Sequence, residues 1–193
     1  MKETIKLGLV LLLVTAIAGG ILAGVNGVTA PVIAEMERQE SFGALLEIFP
    51  EANDFIEAEE SLLEEIKSTN PAVFEVFQAV KDGEELGYAL KTLSAGYGGD
   101  ITTLIGVESE GTIAGLRVLV QTETKGLGTR VVDDLAFRDS FVDKSASASL
   151  NPVKEPSADD EVLLLSGATV STEAVLKGVN SALDAYTNYL ANL

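Results

Sequence analysis

The sequence of 193 residues contains neither cysteine nor histidine. Iron–sulfur clusters held by thiolates, haem held by histidine, thiol redox chemistry and ordinary zinc sites are therefore excluded. Nucleophilic centres of the Ser-His-Asp or Cys-His type cannot be assembled either. Any redox function must consequently depend on an organic cofactor. The sequence predicts no catalytic residue and no metal site.

Basic residues are scarce, since 13 Lys and Arg stand against 30 Asp and Glu, giving a formal net charge of −17. The chain also lacks any run of basic residues. Nucleic-acid binding depends on Lys and Arg that neutralise phosphates, so we expect no nucleic-acid partner. The acidic surface mainly favours solubility.

Charge is absent from residues 7–34, which are mostly Leu, Val, Ile, Ala and Gly. A helix needs about 20 such residues to cross the hydrocarbon core of a bilayer. Lys2 and Lys6 precede the segment, so the positive-inside bias predicts a cytoplasmic N-terminus and an extracytoplasmic remainder. A cleaved signal peptide is the alternative. The apolar run continues past the possible cleavage sites, which favours an uncleaved single-pass anchor in residues 1–34, with the lipid bilayer as its partner.

The rest of the chain divides into a helical segment and a mixed domain. Residues 35–70 are predicted to form two juxtamembrane helices, separated by Pro50 and the residues after it. Residues 71–193 combine strands in hairpins with a terminal helix, which predicts an α+β domain of antiparallel strands with flanking helices. The predicted elements are strands Val73–Val80, Leu86–Leu93, Ile101–Glu108 and Thr112–Thr122, a turn at Asp82-Gly83, an exposed loop over 143–160, a short strand Val162–Leu165 and a helix Thr172–Leu190.

The segment Ser166-Gly-Ala-Thr-Val-Ser-Thr172 lies between the last predicted strand and the last predicted helix. Gly167 allows close approach of the backbone, and the free N–H groups of a helix N-terminus attract a phosphate. A simpler interpretation is that Ser171 or Thr172 only caps the helix. Capping and phosphate binding are compatible, so these residues alone do not decide between them.

Two further motifs accompany this segment, namely Glu123-Thr-Lys-Gly-Leu-Gly128 and Ala95-Gly-Tyr-Gly-Gly-Asp-Ile101. Together with Ser166-Gly-Ala-Thr169, in this order, they resemble the FMN-binding domain family. That domain is shared by the G subunit of the Rnf ferredoxin:NAD oxidoreductase complex and the C subunit of the sodium-pumping NADH:quinone oxidoreductase. The resemblance spans roughly residues 70 to 190. The chain departs from the family pattern at Lys125, where Pro is usual, and at Leu163, where Asp is favoured.

The resemblance implies a covalently bound cofactor. In the family a dedicated flavin transferase joins FMN through its phosphate to the motif threonine, which is Thr169 here. It implies that the residues surrounding the phosphate are Ser166, Gly167, Ala168, Val170, Ser171 and Thr172. It also implies that the isoalloxazine lies against the second motif, with Glu123 and Thr124 at its polar edge, Leu127 on its face, and Gly126 and Gly128 allowing close approach.

The function implied by the resemblance is electron transfer. The chain would be a component with covalent FMN in a membrane complex that couples ferredoxin:NAD electron transfer to Na⁺ or H⁺ translocation. Its partners would be the other membrane and peripheral subunits, with a flavin transferase acting during maturation. The short chain favours the G subunit over the quinone-reductase C subunit. A stand-alone extracytoplasmic flavinylated protein and a structural membrane protein without cofactor remain alternatives.

Overall fold

The computed structural model describes residues 2–193, and its contacts divide the chain into one compact unit that ends at Phe42 and a second that spans Gly43–Leu193. The helices are α1 (Lys2–Ile48), α2 (Glu60–Thr69), α3 (Arg130–Asp133), α4 (Leu135–Asp139) and α5 (Thr169–Ala185), which continues as a π-helical turn over Tyr186–Leu190. The strands are β1 (Asp54–Glu57), β2 (Val73–Lys81), β3 (Glu84–Ala95), β4 (Asp100–Glu108), β5 (Ile113–Val120), β6 (Asn151–Val153) and β7 (Glu161–Leu163).

Helix α1 runs without a break from Lys2 to Ile48 and includes Pro31. Among residues 2–193 it is the helix that is long and apolar enough to cross a membrane. The large apolar side chains of its uncharged segment are exposed, as at Leu7 and Leu22. The helix ends just before Pro50, because proline disfavours helical geometry in the residue that precedes it.

Strands β1 to β5 form one antiparallel sheet in which sequence neighbours are also spatial neighbours. The four longer strands were all predicted, with boundaries that differ by a few residues. The predicted turn at Asp82-Gly83 is also present, and both residues have positive φ, 53° and 89°. Positive φ at both central residues defines the tight turn that matches strand twist in two-residue hairpins. The predicted α+β fold is confirmed.

Each face of the sheet is covered by a different helix. The end of α1 packs on one face in a cluster formed by Ala44, Leu45, Ile48, Phe49, Ala52, Phe77, Ala79, Ala89 and Leu104. Helix α5 packs on the other face, where Val175 and Val179 join Leu90, Ile101 and Ile105. Adjacent strand residues such as Ala89 and Leu90 thus serve opposite cores, as the period of two requires.

Three elements differ from the sequence-based expectations. Within the segment 35–70, expected to be helical, Asp54–Glu57 forms β1, which pairs antiparallel with β2. Within the loop expected over 143–160, Asn151–Val153 forms a parallel pair with β7. Helix α5 begins at Thr169, three residues before the predicted start. In the first two cases a partner strand supplies the hydrogen bonds that a short segment cannot supply alone.

Candidate functional site

The first turn of α5 presents free backbone donors. Gly167 has φ +83°, and the amide of Ala168 donates to the carbonyl of Leu165 at 3.0 Å, so the chain turns sharply into the helix. The amide of Thr172 donates to Ala168 O at 2.9 Å. The amides of Thr169, Val170 and Ser171 precede that bond and have no acceptor within the helix. They carry the positive end of the helix dipole.

The four hydroxyls of the motif differ in exposure. Ser166 and Thr169 are exposed, whereas Ser171 and Thr172 have exposed fractions of 2% and 0%. The Ser171 hydroxyl donates to the Glu123 carboxyl group, and the Thr172 hydroxyl accepts from Leu165 N at 3.4 Å. Only Ser166 and Thr169 therefore offer an accessible hydroxyl for covalent chemistry.

The interpretation of Ser171 or Thr172 as a helix cap is wrong. The N-cap residue is Ala168, and no side chain of the described residues caps this end of the helix. Ser171 and Thr172 lie inside the first turn and point into the protein, where their hydroxyls bond to Glu123 and Leu165. The free amides at the helix start are thus left without a side-chain acceptor.

Glu123 is buried beside the first turn of α5, with an exposed fraction of 7%. Its Oε1 accepts from the amide of Gly98 at 2.8 Å, and its Oε2 accepts from the hydroxyl of Ser171. The carboxyl group is thus already engaged by two donors of the protein, a feature that the sequence alone did not reveal.

The glycine-rich loop keeps a tight turn although Lys125 replaces the usual proline. Leu127 N donates to Thr124 O at 3.1 Å, and Gly126 N donates to the Thr129 hydroxyl at 3.0 Å. Gly126 has φ +78°, the conformation that glycine adopts at no steric cost. The turn therefore depends on Gly126 rather than on a proline before it.

A cavity of about 470 Å³ connects these segments. Its lining comprises Tyr97, Glu123, Thr124, Leu127, Gly128, Gly167, Ala168, Thr169, Val170 and Ser171. Nine of the twelve site residues named from the sequence are therefore brought together. The other three do not line it: Ser166 and Gly126 are exposed outside it, and Thr172 is buried behind the helix turn. Tyr97, only weakly indicated by its motif, is 75% exposed at the cavity.

Arg130 is a neighbour of the motif that sequence reasoning missed. Its Nη1 donates to the carbonyl of Ser166 at 3.0 Å, and its Nη2 donates to Asp134 Oδ2 at 2.8 Å. The Arg130 guanidinium holds the pKa of Asp134 below its usual range, aided by the amide of Phe137. The sequence signal that could have indicated Arg130 is its position, since it is a basic residue two positions after Gly128 in a strongly acidic chain. No group of His, Cys, Asp and Glu suited to a metal ion occurs among residues 2–193.

Comparison with known proteins bears on these motifs directly. Residues 96–184 match the model of the FMN-binding domain, and residues 1–48 match the RnfG N-terminal region. The G subunit of the Na⁺-translocating ferredoxin:NAD⁺ oxidoreductase complex of Acetobacterium woodii is 35% identical, with 97% of this chain and 93% of the relative covered. The G subunit of the proton-translocating ferredoxin:NAD⁺ oxidoreductase complex of Clostridium ljungdahlii is 30% identical, with 90% of this chain and 86% of the relative covered. The chain belongs to the family of G subunits of ion-translocating oxidoreductase complexes.

Solved structures of a quinone-reductase subunit share the fold of this member of the G-subunit family. The C subunit of the Na⁺-translocating NADH-quinone reductase from Parabacteroides distasonis superposes with a TM-score of 0.56 at 23% identity, covering 72% of this chain and 78% of that one. NqrC of Shewanella oneidensis superposes with a TM-score of 0.52 at 21% identity, covering 60% of this chain and 58% of that one. The resemblance stated from the motifs is confirmed, FMN is the cofactor that the domain match supports, and the N-terminal match together with α1 supports membrane association.

Proposed function

We propose that this member of the G-subunit family carries FMN joined through its phosphate to Oγ1 of Thr169 and passes electrons within a membrane complex. That complex would couple ferredoxin:NAD electron transfer to Na⁺ or H⁺ translocation, as the names of the relatives state for their own complexes. The observation that carries the proposal is the position of Thr169. It is an exposed hydroxyl at the first residue of α5, on the wall of a cavity.

The residues present fit FMN. The cavity volume of about 470 Å³ falls within the range of small-molecule sites. Tyr97, Leu127 and Val170 supply exposed apolar surface for a ring system. The unpaired amides of Thr169, Val170 and Ser171 supply donors for a phosphate, in a chain whose net charge would otherwise repel one. Bound FMN would supply the one- and two-electron chemistry that the side chains of this sequence lack.

Each motif residue has a role that follows from its place. Gly167 lets the backbone turn into the helix, and the segment from Ala168 to Ser171 surrounds the phosphate. Thr172 and Ser166 act indirectly, because their polar atoms bond to Leu165 and Arg130. Gly126 and Gly128 shape the loop that carries Thr124 and Leu127 to the cavity.

The covalent bond requires an activated donor. A phosphodiester does not form from a free phosphate and an alcohol in water, so a flavin transferase must supply FMN as a phosphoanhydride. The Thr169 hydroxyl would lose its proton and form the Oγ1–P bond as the other phosphoryl group of the donor leaves. Covalent attachment holds the cofactor in place without depending on affinity for free FMN.

The proposed location follows from α1. We place residues 1–34 as a single-pass anchor in the cell membrane, with the N-terminus in the cytoplasm and the domain that carries FMN outside. Lys2 and Lys6 before the uncharged segment support this orientation. The protein would act as a relay among the other membrane and peripheral subunits, with no substrate site of its own.

The proposal is tested by expressing the full-length chain with and without a flavin transferase. We expect the intact mass to increase by one FMN only in the presence of the transferase, with a fluorescent band on a denaturing gel. An unmodified mass in its presence would contradict covalent attachment. Co-purification with several polytopic subunits distinguishes the relay from a stand-alone flavoprotein, which would purify alone.

A further inference from the structure

Glu123 joins three separate segments of the chain beside the cavity. It belongs to the loop that follows β5, and its two carboxyl oxygens reach the other two segments. Oε1 accepts from Gly98 in the turn between β3 and β4, and Oε2 accepts from Ser171 in the first turn of α5. Each contact is next to a wall residue of the cavity, because Tyr97 precedes Gly98 and Val170 precedes Ser171.

This carboxyl group is buried without a cationic partner. Glu123 takes part in none of the ion pairs found among residues 2–193. Burial of a carboxyl group is costly unless hydrogen bonds compensate for the lost water. The Gly98 amide and the Ser171 hydroxyl provide that compensation. The buried Glu123 carboxyl group therefore requires both hydrogen bonds, and these bonds hold the three segments together.

Two glycines make room for the carboxyl group. A Cβ on Gly96 would lie 2.5 Å from Glu123 Oε1, and a Cβ on Gly128 would lie 2.6 Å from Oε2. Real Cβ atoms do not approach other atoms so closely. The local sequence therefore accommodates this one side chain from both sides.

We propose that Glu123 is a positioning residue of the flavin site. By bonding Gly98 and Ser171 together, it fixes the distance between the turn that carries Tyr97 and the helix start that carries Thr169 and Val170. It thereby shields the flavin on Thr169 from solvent. The inference rests on the proposed function, because the shielded group is the FMN placed there.

The first test measures amide hydrogen exchange of Gly98 in the full-length chain, prepared in detergent without the transferase. Glu123→Ala removes the acceptor, and we expect exchange to be about tenfold faster, which corresponds to a loss of ~1.4 kcal/mol. Glu123→Gln should stay near the parent, because its Oε1 can still accept from Gly98 and its Nε2 can donate to Ser171 Oγ. Glu173→Gln, an exposed change of the same type on α5, is the matched control and should leave exchange unchanged.

The second test measures quenching of flavin fluorescence by acrylamide in the same variants, prepared with the transferase. We expect the quenching constant to rise roughly twofold in Glu123→Ala, because the walls can then open locally. The quenching constants of Glu123→Gln and Glu173→Gln should equal that of the parent chain. Ser171→Ala breaks one bond only, so quenching should rise while Gly98 stays protected. If Glu123→Ala shows no cooperative unfolding transition, it is not folded, and the inference is then tested with Ser171→Ala only.

Two results would overturn the inference. One is a folded Glu123→Ala chain with parental Gly98 exchange and parental quenching. The other is a Glu123→Gln chain that behaves like Glu123→Ala, since its hydrogen bonds should be retained. If Glu123→Ala does not fold, unchanged flavin quenching in Ser171→Ala takes the place of the first result and overturns the inference. A parent chain that carries no covalent flavin would instead defeat the proposed function, and the first test would still report on the contacts of Glu123.

Discussion

Gly128 occupies a position where any side chain would meet two polar groups. A Cβ there would lie 2.6 Å from Glu123 Oε2 and 2.7 Å from Ser171 Oγ. We expect Gly128→Ala to lower the free energy of unfolding by about 1–3 kcal/mol, because overpacking forces neighbours apart. Gly43→Ala is the control, since a Cβ there meets nothing within 4 Å and the position is helical. Equal urea midpoints for the two variants would show that the site near Gly128 is less tightly packed than the structure indicates.

Asp134 should make stability depend on pH. The contact with Arg130 and the amide of Phe137 lower the pKa of Asp134 in the folded state. A lowered folded pKa means that the unfolded chain binds the proton more tightly. The stabilisation is therefore fully present above the ordinary pKa of about 3.9 and is lost as the pH falls through the folded value.

The measurement compares urea unfolding of the parent and Asp134→Asn over a pH series. We expect a constant difference in unfolding free energy from pH 7 to about pH 5, and a shrinking difference below about pH 4. Asp133→Asn serves as the control, because Asp133 is exposed beside it. A difference that stays undiminished at pH 3 would contradict the assigned role of the Arg130 contact.

At the scale of elements, the end of α1 belongs to the core of the unit that spans Gly43–Leu193. Ile48 packs against Gly106 and Gly115, where any Cβ would crowd it, and Phe49 lies beside Gly106. A chain that begins at residue 35 keeps these contacts, whereas a chain that begins at residue 51 exposes one face of the sheet. We expect the first to be soluble with a cooperative thermal transition. The second should aggregate or unfold without cooperativity, since a large apolar patch favours association.

Calorimetry and size-exclusion chromatography of the two truncated chains check this prediction. A similar cooperative transition in both would show that the sheet does not need the end of α1. The single substitution Ile48→Ala in the longer chain provides a finer measure, with an expected loss of about 2–5 kcal/mol.

The elements that the sequence predicted well are those whose pattern is local. Strands β2, β4 and β5 are rich in β-branched residues. Strand β3 has only Thr92 of that type, but it follows β2 directly across the Asp82-Gly83 turn, so its identity also follows from neighbours in the chain. Strand β1 is short and has an acidic residue at each end, and only its pairing with β2 identifies it. The same holds for β6, whose partner β7 lies across a turn-rich loop.

The candidate site was predictable to a similar extent. Its motifs could be read from the sequence, because glycine and hydroxyl residues at fixed spacing have a local meaning. The inward direction of Ser171 and its bond with Glu123 depend on packing between segments 48 residues apart. Arg130 was missed for the same reason, since its partner carbonyl at Ser166 lies 36 residues away.

At the scale of the whole molecule, the proposed orientation predicts which part of the chain a protease can reach. Protease added to spheroplasts should degrade the part from residue 35 to residue 193, because Lys2 and Lys6 should keep the N-terminus in the cytoplasm. A cytoplasmic marker protein should remain whole in the same sample. Protection of residues 35–193 until the membrane is broken would reverse the orientation.

The central claim concerns the atom to which FMN is bonded, and peptide mass mapping tests it most directly. The measurement compares Thr169→Val and Ser166→Ala, expressed in full length with the flavin transferase. These variants remove the two accessible hydroxyls of the motif, and Thr169→Val keeps the shape of the side chain. We predict that Ser166→Ala retains FMN on the peptide that contains Thr169, and that Thr169→Val retains none although it still folds. FMN found on the Thr169→Val peptide would contradict the account and move the attachment to another hydroxyl.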